Sequence, residues 1–437
     1  MESYIGAAPS SLISQLDFSL QSTAPYVIQR RSVRMYPTSA STFTPSTVNV
    51  CRLTLASEGE WLDPSTLRFV CTVVNNDAAD YLYPATASAS CLFQRVRELC
   101  GGTVISDVLN YARTAETFQN KLEPTEWQFS EGVLGFGGTM FGMPNVNYRG
   151  DTDTTYCPAQ RHPKPGRIRP GTQYTCVQRL LTGICKSNKL IPLRVCPLTY
   201  ELTLEVPAKA APSGSQNYSL VNCYMLCDLI TLDSSVQNSY YKSLLSGAAL
   251  SLVIPQYTTV HYPVTNAASL AIVVQRAFTR NVAVFVTFSR NNMVDNFYYP
   301  DPEVAFQAFA GGPDAPILQD GSFSFQLQLG SKLWPEQPMS SLAEMYETLR
   351  KAVGTHNQDI KSIGLDRHDY TRDGFILGVD LEKNLGDPFS AVNTRAGDVL
   401  RLVFNGISST SEMKDCYVHL ISSSILEIRE TGAFLFD

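Results

Sequence analysis

The sequence lacks any apolar run long enough to cross a membrane. Its longest apolar stretches, at 250–254 and 282–288, have only the length of a β-strand, whereas a membrane helix needs about 20 consecutive apolar residues. The first twelve residues, MESYIGAAPSSL, contain no basic segment followed by an apolar core, so we expect no secretory signal. With 437 residues, 44% hydrophobic and 17% charged, the composition is typical of a soluble globular chain with two domains.

The sequence also has fewer basic than acidic residues. The formal net charge is −6, whereas a chain that binds nucleic acid directly normally presents a basic surface. The composition therefore argues against direct nucleic-acid binding, although it is compatible with a protein that encloses nucleic acid without touching it.

The cysteines do not indicate a disulfide framework. There are eleven, an odd number, and several lie in apparent strands, among them Cys51, Cys71, Cys223 and Cys227. A buried free thiol behaves there as a small apolar side chain. We therefore predict a reducing compartment and mostly free thiols.

Catalytic and metal-binding motifs are missing as well. The segment Gly150–Thr154 resembles the Asp-x-Asp-x-Thr motif of phosphoaspartyl phosphatases, but the buried strand that this motif requires does not precede it. The glycine-rich stretch 132–142 has no phosphate-binding pattern, and the five histidines have no metal-ligand spacing. The sequence predicts no catalytic residue, no cofactor and no metal, and hence a protein whose function is its surface.

One segment stands out because a version of it occurs twice. Cys91–Leu122 is predicted as a strand, a turn at Gly101 and Gly102, a short strand and then a helix, whose apolar positions run from Val108 to Leu122 in steps of three and four. Some 230 residues later, at 322–354, an alternating strand is followed by a turn at Gly330 and by another helix.

The second helix has clear start and stop signals. Ser341 and Glu344 have the spacing of a capping box, and Gly354 follows the last apolar position. The same order of elements in each half indicates an internal repeat, although such units are common enough in mixed folds to arise by chance.

Period-two alternation predicts strands throughout both halves. The clearest of them are Val48–Leu55, Leu67–Val73, Gln173–Leu181, Leu198–Val206, Tyr218–Leu232, Leu250–Val264, Ser269–Gln275, Val282–Ser289, Phe375–Leu381, Val399–Asn405 and Tyr417–Ile428. The predicted fold class is all-β with a few short helices: two tandem eight-stranded antiparallel jelly-roll β-sandwiches. The predicted domains are an N-terminal arm at 1–40, a first jelly roll at 41–233, a connecting helix at 234–247 that Asp233 caps, and a second jelly roll at 248–437.

Basic residues in two irregular segments are the candidate contacts between subunits. The arm could reach a neighbouring molecule, and the Pro- and Gly-rich loop 131–172 could make an electrostatic contact with an acidic neighbour, although a solvated loop tip is the simpler interpretation. The candidates are Arg30, Arg31, Arg34, Arg161, Lys164, Arg167 and Arg169.

The order of these features resembles the double jelly-roll major capsid proteins of the adenovirus-hexon and tailless-bacteriophage lineage, which includes proteins of polinton-like elements, virophages and large eukaryotic DNA viruses. The resemblance covers most of the chain. It rests on Tyr83-Pro84, the Cys91–Leu122 unit, the strand Leu198–Val206 after Ile191-Pro192-Leu193, the junction after Tyr218–Leu232, and the terminal segment Leu426–Glu430.

The resemblance implies a function in assembly. Such proteins form homotrimers whose six upright jelly rolls give a pseudo-hexagonal capsomer of an icosahedral shell. It further implies neighbouring capsomers, penton proteins and minor capsid proteins as partners, with an inner membrane or inner protein layer where the virion has one. The implied location is the virion, which would be assembled in the host cytoplasm or nucleus. Loops 131–172 and 291–320 would form trimer contacts and the outer tower.

Two alternatives stay open from the sequence. One is a minor, vertex or single-shell capsid protein whose second half protrudes. The other is a cellular two-domain β-sandwich that binds carbohydrate or peptide, for which the aromatic cluster Phe297, Tyr298 and Tyr299 would line the pocket.

Overall fold

The structure is a computed structural model that describes residues 26–86, 88–124, 133–136, 167–264, 269–290, 323–356, 363–365, 370, 375–395, 399–406 and 413–437. The strands of the first half are β1 (Val27–Met35), β2 (Thr42–Phe43), β3 (Val50–Leu55), β4 (Trp61–Asn75), β5 (Leu82–Tyr83), β6 (Phe93–Cys100), β7 (Thr103–Leu109), β8 (Gln173–Gln178), β9 (Ile191–Pro192), β10 (Leu198–Leu204), β11 (Ser213–Gly214) and β12 (Tyr218–Leu232). Those of the second half are β13 (Leu250–Pro263), β14 (Ser269–Val273), β15 (Asn281–Arg290), β16 (Ser324–Leu329), β17 (Lys332–Met339), β18 (Ile376–Asp380), β19 (Leu400–Asn405), β20 (Met413–Arg429) and β21 (Gly432–Phe436).

The helices are short. They are α1 (Tyr111–Ala115), which a π-helical turn at Glu116–Lys121 continues, α2 (Pro207–Ala210), α3 (Ser234–Leu245) and α4 (Leu342–Val353). Among the residues described here, no helix has the length and hydropathy to span a bilayer.

Each half of the chain folds into two main antiparallel sheets with the same strand order, and β5 and β11 of the first half form a further two-stranded sheet. In the first half these are β1-β12-β4-β8, with β2 also on β12, and β3-β10-β6-β7. In the second half they are β13-β20-β15-β18 and β14-β19-β16-β17. If β1 and β2 count as one broken strand, the eight main strands of each half are ordered 1-8-3-6 in one sheet and 2-7-4-5 in the other. This is the jelly roll, formed twice, as predicted.

The repeated unit is confirmed in both halves, with one boundary wrong. In the first half β6 and β7 pair across Gly101 and Gly102, and α1 follows. The sequence analysis began the helix near Val108, but Val108 belongs to β7. The chain changes direction at Asn110, which adopts the left-handed conformation (φ 49°) that Asn tolerates better than most residues.

In the second half β16 and β17 pair around Gly330, and α4 follows. Ser341 is the N-cap residue and Gly354 ends the helix with a φ of 78°, both as predicted. The side chain of Ser341 makes no capping hydrogen bond, however, so the predicted capping box is not formed.

A bulge in β6 sets the orientation of its charged residues. Regular alternation would put Arg95 and Arg97 on the same face as Phe93. Instead, the pairing with β10 is irregular just after Phe93, which shifts the alternation by one residue. Val96 and Glu98 therefore point into the barrel, and both arginines are only half-buried and pair with carboxylates.

Part of the predicted N-terminal arm is a strand. Residues 27–35 form β1, which pairs antiparallel with β12 at the edge of the first sheet, while residues 1–25 lie outside the described residues. The predicted connecting helix begins as expected: Asp233 accepts a hydrogen bond from the Ser235 N–H at 2.8 Å at the start of α3.

The cysteines depart from expectation at one place. Cys100 and Cys196 form a disulfide, and their Cα atoms are 5.4 Å apart. It joins the last residue of β6 to the short segment just before β10. The other described cysteines are free, and all except the half-buried Cys185 are buried: Cys51, Cys71, Cys91, Cys176, Cys223, Cys227 and Cys416. The reducing compartment stays a prediction.

Candidate functional site: the contact between the two barrels

The two barrels are joined by an extensive internal contact. On the first barrel it involves β7, α1 and the π-helical turn; on the second it involves the outer surface of the sheet that contains β13, β20 and β15. In β20, Cys416, Val418 and Leu420 belong to the core of the second barrel. Because successive side chains of a strand alternate, Tyr417 and His419 point away from that core, toward the first barrel.

Phe118 of the π-helical turn is the central apolar side chain of this contact. Its ring centroid lies 5.4 Å from that of Tyr257 and 5.0 Å from that of Phe285, and it meets the His419 ring edge-on at 5.8 Å. Edge-to-face packing at these distances is favourable beyond the area that it buries. One aromatic side chain of the first barrel thus contacts three strands of the second.

A chain of hydrogen bonds runs beside Phe118. The Thr114 Oγ1 lies 2.7 Å from the Thr259 Oγ1, and the Thr259 Oγ1 lies 2.8 Å from the Nδ1 of His419. The Nε2 of His419 lies 3.1 Å from the Thr287 Oγ1. Both ring nitrogens are therefore satisfied, as a buried imidazole requires.

His419 is neutral in this environment. It is 1% exposed, and burial, followed by the nearby charge of Arg113, lowers its pKa to about 3. Since the charged form is excluded at neutral pH, one ring nitrogen donates and the other accepts, and the threonine hydroxyls can play either part.

Two further contacts fix the position of the second barrel. The guanidinium of Arg113 lies over the ring of Tyr417, 4.2 Å from its centroid, a cation–π geometry that is strongest when it is shielded from water. The Gln256 Nε2 donates to the backbone oxygen of Ile105 at 2.8 Å, which ties β13 to β7.

The backbones of the two barrels also approach closely at one glycine. A Cβ atom on Gly183, in the turn before β9, would lie 2.9 Å from the backbone oxygen of Pro255 in β13 and 3.1 Å from the Ile254 side chain. Only a residue without a side chain fits there.

The apolar core of the first barrel continues into the second. Side chains of the second barrel belong to it, namely Leu252, Ile254, Tyr257, Leu426, Ile428 and Ala433. A large apolar interface of this kind opposes motion of one domain relative to the other. The two barrels therefore form a single rigid unit.

The sequence analysis missed the most deeply buried carboxyl group. Glu98 is fully buried in the first barrel; it accepts a hydrogen bond from the Tyr200 hydroxyl and one from the Ile184 N–H at 3.3 Å. Burial raises its pKa to about 7. Glu98 points inward because of the bulge in β6, which the sequence pattern does not reveal. The only sequence signal for a buried charge was the number of charged residues in this predicted strand.

The predicted contact residues in β1 all engage in contacts within the chain. Arg30 pairs with Asp228 at 2.6 Å, and Arg31 forms a bidentate pair with Glu60. The guanidinium of Arg31 lowers the pKa of the Glu60 carboxyl. These groups are near the surface, where such pairs contribute little to stability.

Of the other candidates, Arg34 lies over the ring of Tyr224 at 5.0 Å and Arg167 over that of Tyr81 at 4.4 Å. Arg169 is exposed. Arg161 and Lys164 lie outside the described residues, as do Asp151–Thr154 and the aromatic cluster at 297–299. The structure thus places the described candidates on separate elements, β1 and the segment before β8.

No group that could hold a metal is found among the described residues. The arrangement between the barrels, with its satisfied hydrogen bonds and packed rings, fixes an orientation and offers no reactive group.

Comparison with known proteins gives a consistent result. No protein-family model and no curated protein sequence matches the chain. Among solved structures, the chain is similar to the Faustovirus major capsid protein, with a TM-score of 0.62 and 10% identity over 96% of this chain and 93% of that one. It is also similar to a chain of the PBCV-1 virus capsid, with a TM-score of 0.58 and 14% identity over 96% and 99%. A chain of the Sputnik virophage gives a TM-score of 0.56 and 11% identity over 97% and 92%. At these identities the similarity is one of fold, and the fold is the double jelly roll of such capsid proteins.

Proposed function

We propose that this chain is the major capsid protein of an icosahedral DNA virus and that it assembles as a homotrimer with a pseudo-hexagonal outline. The observation that carries the proposal is the presence of two jelly rolls with one strand order, locked side by side by the contact around Phe118 and His419. Three such subunits place six similar barrels in one ring.

The rigidity of the subunit supports this role. A shell is held together by many contacts that are individually weak and act together. Each subunit must therefore present its contact surfaces at fixed positions. The continuous core and the buried hydrogen bonds of His419 supply that fixed geometry. The role is structural and not catalytic.

The proposal extends to partners and location. The capsomer would meet neighbouring capsomers, penton proteins and minor capsid proteins, and an inner membrane or protein layer where the virion has one. The acidic chain, with a net charge of −6, would enclose the genome without reading its sequence. The ranges 41–233 and 248–437 are the proposed barrels, with 1–40 as the arm, and the virion is the location.

Light scattering on the purified chain, followed by negative-stain imaging, tests the proposal. We expect a particle of three 48.2-kDa chains with a six-lobed outline. A monomer at micromolar concentration with a single aromatic pocket would favour the cellular binding protein. A dimer, or a particle with a protruding second half, would favour a minor or single-shell capsid protein.

A further inference from the structure

The sheet that joins the barrels has two unlike faces near one end of its strands. There β13, β20 and β21 lie side by side, and residues directly opposite each other in antiparallel strands share a face. One face packs on the first barrel and belongs to its core, through Leu252, Ile254, Leu426, Ile428 and Ala433. The residues between these positions point to the other face.

The other face carries large apolar side chains in a row. Val253 is opposite Ile425 of β20, and Ile425 is opposite Phe436 of β21, so the three lie side by side. Val253 and Phe436 are each 47% exposed, and Ile425 is half-buried. In the next row Phe434, opposite Glu427, is 43% exposed. We call these four apolar side chains the open face; contiguous apolar groups at a surface mark a contact site.

Two arginines border the open face. The guanidinium of Arg429 lies over the ring of Phe434, 5.5 Å from its centroid. Arg280 donates to the backbone oxygen of Ser423 at 3.0 Å and to that of Phe436 at 3.3 Å. These carbonyl partners do not neutralise the charge of Arg280, so the border favours an occupant with negative charge.

The N-terminal segment of this chain leads to the same end of the sheet. Residues 1–25 precede Tyr26, the first residue that the structure describes. The Tyr26 oxygen accepts a hydrogen bond from the Asp233 N–H at 2.8 Å. Leu232, beside Asp233, packs in one apolar cluster with Leu250, the first residue of β13. Tyr26 therefore lies near the beginning of β13.

The open face begins close to that point. Val253 is three residues after Leu250, which is about 10 Å along a strand. Because β13 is the edge strand of its sheet, a segment can pass round it from one face to the other. Leu20 is six residues before Tyr26, and six extended residues span about 20 Å. Residues near Leu20 can therefore reach Val253 of the same chain.

The sequence of the N-terminal segment fits the open face. Leu16, Phe18 and Leu20 alternate with polar residues, so an extended chain presents these three apolar side chains on one side. Residues 1–25 contain two acidic residues and no lysine or arginine. Their charge is opposite to that of the arginines at the border.

We propose that the segment Leu16–Leu20 lies on the open face of its own chain, with its three apolar side chains against Val253, Ile425 and Phe436. The contact joins β1 of the first barrel to the second barrel through the N-terminal segment. The inference goes beyond the proposed function and does not depend on it, because the contact lies within one chain.

Photo-crosslinking of the full-length chain tests this. The photoreactive analogue p-benzoylphenylalanine replaces Phe18, and the illuminated chain is run on a denaturing gel and digested for mass spectrometry. The open-face variant carries Val253→Asp with Phe436→Asp. The matched control, Val50→Asp with Leu109→Asp, changes side chains of the first barrel that are 38% and 40% exposed. Circular dichroism checks that each variant is folded.

We expect cross-links from position 18 to peptides that contain Val253 or Phe436, in a band that keeps the mass of one chain, 48.2 kDa. The cross-link yield of the open-face variant should fall about tenfold, because its carboxylates would have to leave water for an apolar contact. The control should keep the full yield. Leu16→Asp with Leu20→Asp should lower the yield as much without changing the sheet, so the test holds even if the open-face variant does not fold.

Three results would overturn the inference. Cross-links to the same peptides in a band of twice the mass would show that the segment comes from a second copy. Cross-links only to other parts of the chain, or an unchanged yield in the Asp variants, would show that the open face does not hold the segment. None of these results alters the count of chains by light scattering, so the proposed capsid function is judged separately.

Discussion

The ring of Phe118 in the first barrel stands perpendicular to that of Phe285 in the second, with their centroids 5.0 Å apart. This pair links the helix that ends the repeated unit of one barrel to the middle of a sheet of the other, some 167 residues further along the chain. The pair thus packs the two barrels directly against each other.

Replacing Phe118 with Ala should cause the two barrels to unfold at different denaturant concentrations. The side chain is half-buried and touches Tyr257, Phe285 and His419, so we expect a loss of about 2–3 kcal/mol in the free energy of unfolding. Denaturation in urea, followed by fluorescence and circular dichroism, should change from one transition to two. Phe389→Ala, at a side chain that is 57% exposed, is the control and should change little. A single transition at an unchanged midpoint would contradict this prediction.

Glu98→Gln should remove a pH dependence of stability. Burial raises the pKa of Glu98 from 4.5 to about 7 in the folded chain, so the folded state holds its proton more tightly than the unfolded state. The wild type should therefore lose about 3 kcal/mol of unfolding free energy as the pH rises from 4.5 to 7, at 1.36 kcal/mol per pKa unit.

Glutamine can still accept the Tyr200 hydrogen bond and cannot ionise. The difference between wild type and variant, measured by urea denaturation across this range, isolates the Glu98 contribution from those of other carboxyl groups. Glu430→Gln is the control. Parallel curves for wild type and Glu98→Gln would refute the predicted effect.

His419→Asn should act in the opposite direction. Burial lowers the pKa of His419 from 6.5 to about 3. Below pH 6.5 the imidazole therefore binds a proton in the unfolded state but not in the folded state. The wild type should lose about 1.4 kcal/mol per pH unit from this group between pH 6 and pH 4.

The Asn variant should lack that acid sensitivity, although it is less stable at pH 8 because the hydrogen bonds to Thr259 and Thr287 are altered. The exposed histidine variant His261→Asn serves as the comparison. An identical acid slope in wild type and His419→Asn would rule out the buried neutral imidazole.

Gly183→Ala tests the close approach of the two backbones. The added methyl group would meet the Pro255 oxygen at 2.9 Å, and overpacking of this kind costs about 1–3 kcal/mol. Gly59→Ala, where the nearest atom would be 3.7 Å away, should be neutral. We expect a lower thermal midpoint for Gly183→Ala only; equal midpoints for both variants would show that β13 can move aside freely.

The sequence was sufficient for elements whose pattern is local. The strand Tyr218–Leu232 has the predicted bounds, and α4 begins after Ser341 and ends at Gly354 as its signals indicated. The repeat of the strand–turn–helix unit could be recognised because both copies contain turn glycines. This repeat supported the prediction of two jelly-roll barrels, which is correct.

The rest depended on contacts distant in sequence. Val108 fits a helix pattern and a strand pattern equally well, and only Asn110 in its left-handed conformation decides between them. The bulge in β6 cannot be recognised without its partner β10. The outward position of His419 follows from alternation, but its burial follows only from the docking of the first barrel, which no local pattern encodes.

The internal contact has a consequence for how a capsomer would be made. In the proposed ring of six barrels, three of the six junctions are of the Phe118–His419 kind and form when each chain folds, at an effective concentration set by the connecting helix α3. Only the other three junctions form by association of separate subunits. The duplication thus makes half of the junctions in the proposed ring independent of protein concentration.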